Sequence, residues 1–433
     1  MKLRRSFWGV LVLLVVSFIA AYFTPMISGV STPVFFTRLV YLCLLLILFG
    51  WVWAFFSTRG LTLQRTQRVQ RQQVGEIFEE RFKVINRYPF GRLWVEVRDD
   101  SQLPGNSGSR VLSLIGGRQQ RSYIAYTQLN RRGSFSLGPT VLISGDPFGL
   151  FLNTHVFEGK NDLVVLPYMV ELTAFPSPAG LFPGGRAIRR RAAEITPQAS
   201  GVREYAPGDA LRRIHWPSSA RRDRLMTKEY DQDPQADVWV FLDAYAPAHF
   251  RAKEENTQTS QRVDQLWLWR RNTEVKLPTD TFEYAVTIAG SVVNYYSKQG
   301  RTVGFACAGD VFTVLSPERG ERQVNKVLET LTFLNSNGDL PLVALVETQA
   351  PSLPRASTVV LITPAVDQSI DLAIDYLLTR NLRPVVVSID AASFGADADS
   401  RSVVERVRQR GVPVMRVSKD ADIANALETP IIG

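Results

Sequence analysis

The sequence predicts a membrane-anchored multidomain chain: a two-helix transmembrane hairpin, a β-sandwich-like domain and an α/β domain with a largely parallel sheet. Three patterns predict it. Two long, almost uncharged apolar runs fill the first 56 residues. Apolar and polar residues then alternate at period two between residues 60 and 170, as half-buried strands do. From residue 236 to 430, short runs that are apolar on both faces alternate with helical periodicity, the pattern of parallel strands covered on both sides. The expected divisions are 1–59 for the hairpin, 60–170 for the β-domain, 171–235 for a linking segment and 236–430 for the α/β domain.

The hairpin comes first. Phe7 to Phe23 is apolar apart from Ser17, and Val34 to Phe56 is apolar except for Thr37, Arg38 and a few small residues. At about 1.5 Å per residue the second run is long enough to cross the hydrocarbon, and the first is adequate with its flanks. The stretch between them, TPMISGVSTP, forces an antiparallel pair. Lys2, Arg4 and Arg5 precede the first run, and Arg59, Arg65, Arg68 and Arg71 follow the second, while the turn carries no charge. Both termini and the folded domains are therefore expected on the cytoplasmic side of the cell membrane. Trp8, Tyr22, Phe23, Tyr41, Trp51 and Trp53 sit where interface anchors belong. A cleaved signal peptide ending near Ala20-Ala21-Tyr22 is the rival reading; a second span just downstream, with a basic flank, argues for an uncleaved hairpin.

In the β-domain, strands are expected around Leu61–Leu63, Phe82–Val84, Leu93–Val97, Arg121–Tyr126 and Ser134–Leu137, separated by turn signals such as Pro104-Gly105-Asn106 and Gly116-Gly117. Asp146-Pro147-Phe148-Gly149-Leu150-Phe151 is expected to close the domain, with one further strand at 164–167. Residues 171–200, rich in Pro, Gly, Ser and Arg, read as a partly mobile linker or surface crossing.

The α/β region predicts strands at 237–242, 301–307, 358–363, 383–389 and 412–417, with 311–315 returning as a hairpin on the second. Helices are expected at 278–298, 321–334, 366–380, 399–410 and 419–427. The connection 244–277 is long for a strand-to-helix link and suits an extra helix or a partner-binding lid, with Trp267 and Trp269 either in a core or at a partner interface.

Composition narrows the chemistry. Cys43 lies in the second span and Cys307 in a predicted strand, so neither a disulfide nor a structural zinc site is expected. The net charge of +9 is concentrated beside the membrane and in residues 186–224. An anionic inner leaflet satisfies it; nucleic acid is not expected, because Arg alternates with Asp and Glu in the basic stretch. Within GVREYAPGDALRRIHWPSSARRDRLMTKEYD, residues 201–231, Pro207-Gly208-Asp209 reads as a turn and an N-cap for a helix starting near Ala210. Arg212 and Arg213 would reach Asp209 and Glu204, and Trp216 would anchor the segment in an apolar cleft. Ser218, Ser219 and Ala220 permit close packing, Arg221 and Arg222 can hold carboxylates, and Leu225–Tyr230 reads as a strand. A hydrolase reading casts His215 as base, Asp209 as its orienter and Ser218 or Ser219 as nucleophile; no nucleophile elbow or phosphate loop accompanies them, and His155 and His249 stand isolated. Asp243, at the carboxyl end of the first α/β strand, is the one candidate ligand for Mg²⁺. Ala244, Tyr245, Ala246 and Pro247 supply no serine or threonine beside it, and the later loop Thr363-Pro364-Ala365-Val366-Asp367 offers one hydroxyl. A carboxylate capping the following loop is the alternative role for Asp243.

The run G-V-R-E-Y-x-P-G-D-x-x-R-R-I-H-W-x-x-S-A-R-x-x-x-L-M, from Gly201 to Met226, resembles the signature of the DUF58 family of bacterial and archaeal proteins. Its members Arg203, Tyr205, Pro207, Gly208, Asp209, Arg212, His215, Trp216, Ser219 and Arg221 are the candidate interaction residues. Arg131-Arg132-Gly133, Gly138-Pro139 and Asp146-Pro147-Phe148-Gly149-Leu150 resemble the family's second block. The resemblance implies a von Willebrand factor A (vWA)-like α/β domain, often with a metal site in an Asp-x-Ser-x-Ser loop. Here Asp243 matches the Asp, but Tyr245 and Pro247 stand at the two serines and Pro364 near a later Asp. It also implies association with a MoxR-type AAA+ ATPase and with transglutaminase-like membrane proteins. The expected role is a membrane-tethered, non-enzymatic protein–protein interaction or assembly scaffold without a cofactor. A metal-dependent vWA-type binding module comes second and a hydrolase using His215 third.

Overall fold

The computed structural model describes residues 1–28, 34–159, 161–176, 199–206, 214–230, 237–252, 275, 277–397 and 399–431. The chain divides into two compact units: Met1–Tyr168 with Lys253–Thr279 and Leu328–Leu334, and Met169–Ala252 with Asp280–Val327 and Asn335–Gly433.

The first unit opens with a two-residue strand β1 (Lys2–Leu3), which runs into α1 (Arg5–Ser28); α2 is Val34–Ser57. Both helices are long and apolar enough to cross a membrane. Helix α1 extends to Ser28, past the Phe23 end of the apolar run. Ten strands follow: β2 (Leu61–Gln67), β3 (Arg71–Gln73), β4 (Ile77–Asn86), β5 (Arg92–Asp99), β6 (Arg110–Ile115), β7 (Gln120–Gln128), β8 (Gly133–Leu137), β9 (Thr140–Gly145), β10 (Phe151–Phe157) and β11 (Asn161–Leu166). They form sheets in the orders β1-β10-β9-β5-β6, β2-β4-β7 and β3-β11-β8. The period-two pattern is visible in β4, whose Phe78, Glu80, Phe82, Val84 and Asn86 are buried while the residues between face outward. Leu61, Phe82, Val84 and Tyr123 from one sheet meet Val95, Val97, Ile115 and Leu142 from another in a shared core.

One prediction is corrected here. Asp146–Phe151 does not close the domain; it is the turn joining β9 to β10, two strands that the sequence reading did not separate. The Asp146 carboxylate accepts the N–H of Phe148 at 2.9 Å and of Phe151 at 2.6 Å, which folds the chain back on itself.

Residues 170–176, which take in the start of the expected linker or surface crossing at 171–200, belong to the second unit and pack within it. The Val170 N–H donates to Ser291 Oγ at 2.9 Å, Tyr296 donates its hydroxyl to the Pro176 carbonyl at 3.0 Å, and Phe175 lies against Tyr295 and Tyr296. The unit then contains β12 (Ala199–Glu204), α3 (Trp216–Arg222), β13 (Met226–Tyr230), β14 (Val238–Leu242), α4 (Thr281–Lys298), β15 (Val303–Ala308) and β16 (Phe312–Glu318). Next along the chain come α5 (Glu321–Phe333), α6 (Leu342–Gln349), β17 (Thr358–Thr363), α7 (Ser369–Thr379), β18 (Arg383–Ile389), α8 (Arg401–Gln409), β19 (Val414–Val417) and α9 (Ile423–Glu428). The six-stranded sheet runs β16-β15-β14-β17-β18-β19, parallel except for β16, as the fully apolar runs predict. Every residue of β14, β15 and β17 is buried. The order of strands reverses between β14 and β17, and open α/β sheets place functional loops at the carboxyl side of such a point.

Candidate functional site

The signature stretch folds as a two-stranded antiparallel hairpin, β12 against β13, with α3 between them. The helix starts at Trp216 for local reasons: Pro217 lies in its first turn, and His215 is the N-cap, its ring nitrogen accepting from the Ser218 N–H. Arg221 and Arg222 lie in the last turn, where cations complement the helix dipole, and Asp223 ends it in the left-handed region at φ 51°. A helix of seven residues does not stand alone. Buried Ser219 fastens it, donating to the His215 carbonyl at 3.1 Å and accepting the Met226 N–H at 2.8 Å. The His215 N–H donates to the Met226 carbonyl at 2.7 Å, and Ile214, Met226 and Thr227 are buried beneath.

Two expectations change. Trp216 does not fill a cleft: it is 66% exposed, because the N-terminal turn of α3 turns its first side chain outward. Leu225, beside the helix end, is exposed too. Glu204 pairs with Arg224, its near neighbour across the hairpin. Arg203 lies on β12 opposite Thr227, Tyr205 is half-buried, and Arg221 is exposed. Pro207, Gly208, Asp209, Arg212 and the helix expected near Ala210 lie outside the described residues, as do Trp267 and Trp269 in the 244–277 connection. His215 Nδ1 lies 2.8 Å from Ser218 Oγ, the contact that a hydrolase reading requires. The same nitrogen is the helix cap, so the geometry is that of a three-residue capping turn.

The second candidate, Asp243, sits at the carboxyl end of β14 beside the strand-order reversal, and is 2% exposed. Its Oδ1 accepts the Tyr245 N–H at 3.0 Å, and its Oδ2 accepts the Thr363 hydroxyl at 2.6 Å. Thr363 Oγ1 in turn accepts the Ala365 N–H at 3.0 Å, so one carboxylate holds the loops after both β14 and β17. Residues 246–248 form a short turn that swings His249 back, and its Nε2 donates to the Asp243 carbonyl at 2.9 Å. His249 Nδ1 faces Thr281 Oγ1 at 3.1 Å, and Phe282 closes edge-on over the ring. Burial pushes the Asp243 carboxyl up and the His249 imidazole down, so both groups favour their neutral forms. These residues do not fit a divalent-cation site. The carboxylate is spent on two loops, the lone converging hydroxyl is bonded to it, and among the described residues no group of three or more His, Cys, Asp or Glu gathers around a common point. Cys43 and Cys307 are both free and buried.

Residues 201–266 match a family model described as protein of unknown function DUF58. The chain is also 21% identical over 347 residues to the uncharacterised protein YeaD of Bacillus subtilis (strain 168), covering 77% of this chain and 78% of that one. Together the two matches support a relationship to the DUF58 family. Among solved structures, the CARDB domain of a Pyrococcus furiosus protein in complex with di-metal ions is 16% identical, covering 24% of this chain and 91% of that one with a TM-score of 0.18. The cupredoxin domain of amoB from Nitrosocaldus yellowstonii is 10% identical, covering 33% and 99% with a TM-score of 0.19. Likenesses this low say nothing about the fold of this chain.

The stretch matched to DUF58 takes in the signature hairpin, β14, Asp243 and His249. His249 was read as isolated because no second ligand stands at metal spacing from it; the Ala246-Pro247 turn was the available signal for its return to Asp243. Thr363 is brought to Asp243 by the parallel pairing of β14 with β17, in which Leu242 lies beside Ile362.

Proposed function

We propose that this protein is a membrane-tethered, non-enzymatic scaffold for protein interaction or assembly. Its hairpin anchors a sandwich-like domain and a vWA-like domain on the cytoplasmic side. The signature segment presents the docking surface, and the partner suggested by the family resemblance is a MoxR-type AAA+ ATPase. The observation that carries this reading is Trp216: a tryptophan held outward on a capped, internally fastened helix turn, beside exposed Leu225 and three arginines. Exposed aromatic and arginine side chains on a rigid element are the composition of interface hot spots. The strand order of the six-stranded sheet, with Asp243 at the end of its first strand, supports the vWA-like reading. The closed carboxylate favours protein contact over metal-dependent capture.

The test is affinity isolation from membranes with wild type and Trp216→Ala, each first shown to be folded and membrane-inserted. The expected result is that wild type retains a AAA+ ATPase and the variant loses it. Retention by both would make the segment an internal clamp, and retention by neither would remove the scaffold reading.

A further inference from the structure

The turn between β9 and β10 carries an observation that the scaffold reading does not use. In the first unit, this turn packs on the side of the helix pair rather than standing clear of it. Leu150 and Phe151 are buried with Ala54 and against Phe7, Val10, Leu46 and Ile47. Gly50 faces the turn directly: a Cβ there would be in ordinary van der Waals contact, 3.4 Å from both Leu150 and Phe151 and 3.5 Å from Asp146. Phe148, at the tip, is 52% exposed, and its ring lies 6.1 Å from that of Phe49. Phe148 thus adds an exposed aromatic beside exposed Phe49.

Depth and polarity both bear on what covers this surface. Phe49 precedes Phe56 by seven residues, about 10 Å along the helix, which is more than the ~5–7 Å of one headgroup layer. A turn at that depth must satisfy its backbone internally. Most of the N–H groups of this one are bonded within it. Pro147 has no N–H, and the N–H groups of Phe148, Gly149 and Phe151 all go to Asp146. The Gly149 carbonyl accepts the Ser6 hydroxyl, and the Leu150 carbonyl accepts the Arg4 N–H at 3.0 Å. The strand pair β1–β10, with Lys2 opposite Leu152, fixes the turn against the start of α1.

We propose that the β9–β10 turn is a third membrane-contacting element, with Phe148 immersed at the headgroup–acyl boundary of the leaflet on which the folded units stand. The inference rests on the reading of α1 and α2 as a membrane hairpin. Phe148 sits against lipid, and the β-domain is held to the bilayer by its own turn as well as by the helices.

Spin labels on the full chain in phosphatidylcholine–phosphatidylglycerol vesicles test this. The background is Cys43→Ala with Cys307→Ala, and labels are placed singly at Phe148→Cys, Leu45→Cys and Asp100→Cys. Leu45 is exposed midway along α2, and Asp100 is exposed at the opposite end of β9 from the turn, its N–H bonded to the Pro139 carbonyl. The expected result is an oxygen-to-nickel-chelate relaxation ratio at 148 that is severalfold higher than at 100 and lower than at 45, as a boundary depth requires. A position 148 that matches 100 while 45 reports lipid overturns the proposal and leaves the hairpin standing. Water at 45 as well removes the hairpin reading and the proposal together. In the unlabelled wild type, a photoreactive lipid should give adducts on the peptide holding 146–151; adducts confined to the helices overturn the proposal.

Discussion

Arg65 carries a heavy electrostatic burden in the first unit. It grips two buried carboxylates at once, Glu80 with Nε at 2.7 Å and Nη2 at 2.9 Å, and Asp99 with Nη1 at 2.9 Å and Nη2 at 3.1 Å. Its guanidinium also lies over the Phe82 ring at 5.0 Å. One cation between two acids leaves an excess negative charge, and burial holds the Glu80 carboxyl above its ordinary range. Arg65→Leu should therefore cost about 3–5 kcal/mol, since it strands both acids. Glu80→Gln should cost about 1 kcal/mol or less, because it removes the excess charge and keeps an acceptor. Thermal unfolding in detergent separates the two. In the second unit, Asp243 and His249 make opposite demands on pH. A lowered imidazole means that the unfolded chain takes up the proton first, so stability falls as pH drops below the ordinary 6.5. His249→Gln should flatten that loss. A raised carboxyl contributes stability that is lost as pH rises above the ordinary 3.8 towards the folded value. Asp243→Asn, which mimics the protonated form, should gain on wild type across that rise, read by unfolding at stepped pH.

Single elements show where sequence pattern suffices and where it does not. Strands β14, β17 and β18 were legible because they are apolar on both faces between turn signals. Strands β9 and β10 were not, because Asp146-Pro147-Phe148-Gly149 reads as an ending when it is a reversal held by one carboxylate. Helix α6 was missed because it is eight residues long and opens behind Pro341, too short for a periodicity to emerge. Helix α3 is fastened to β13 by the Ser219 hydroxyl as well as by the backbone bond at its His215 cap. Ser219→Ala should cost about 1–2 kcal/mol, by leaving the buried Met226 N–H without its acceptor. Hydrogen exchange should show faster exchange at Met226 and in α3, with β14 unchanged. Strand β15 has a different vulnerability. Gly304 lies beside Trp239 in the parallel register, and a Cβ there would come within 2.7 Å of the indole. Gly304→Val should lower the melting temperature of the second unit by displacing Trp239 from the core.

Taken over the whole chain, the order of apolar runs foretold the helical pair, the β-rich region and the parallel sheet, because each rests on a local period. The candidate site was legible only in part. Asp243 could be found from its place at a strand end, but its partners could not. His249 returns through a turn, and Thr363 arrives through pairing with a strand about 120 residues away. Trp216 was read as an anchor because a large aromatic usually favours burial; the cap at His215 turns it outward instead. Whether that outward face meets another protein is the point on which the scaffold reading turns. A photo-crosslinking amino acid at position 216, activated in intact membranes, addresses it directly. The expected product is a covalent adduct with a AAA+ ATPase, absent when the same group is placed at Asp100. An adduct formed solely within the chain, or solely with lipid, would overturn the reading of the signature as a docking surface.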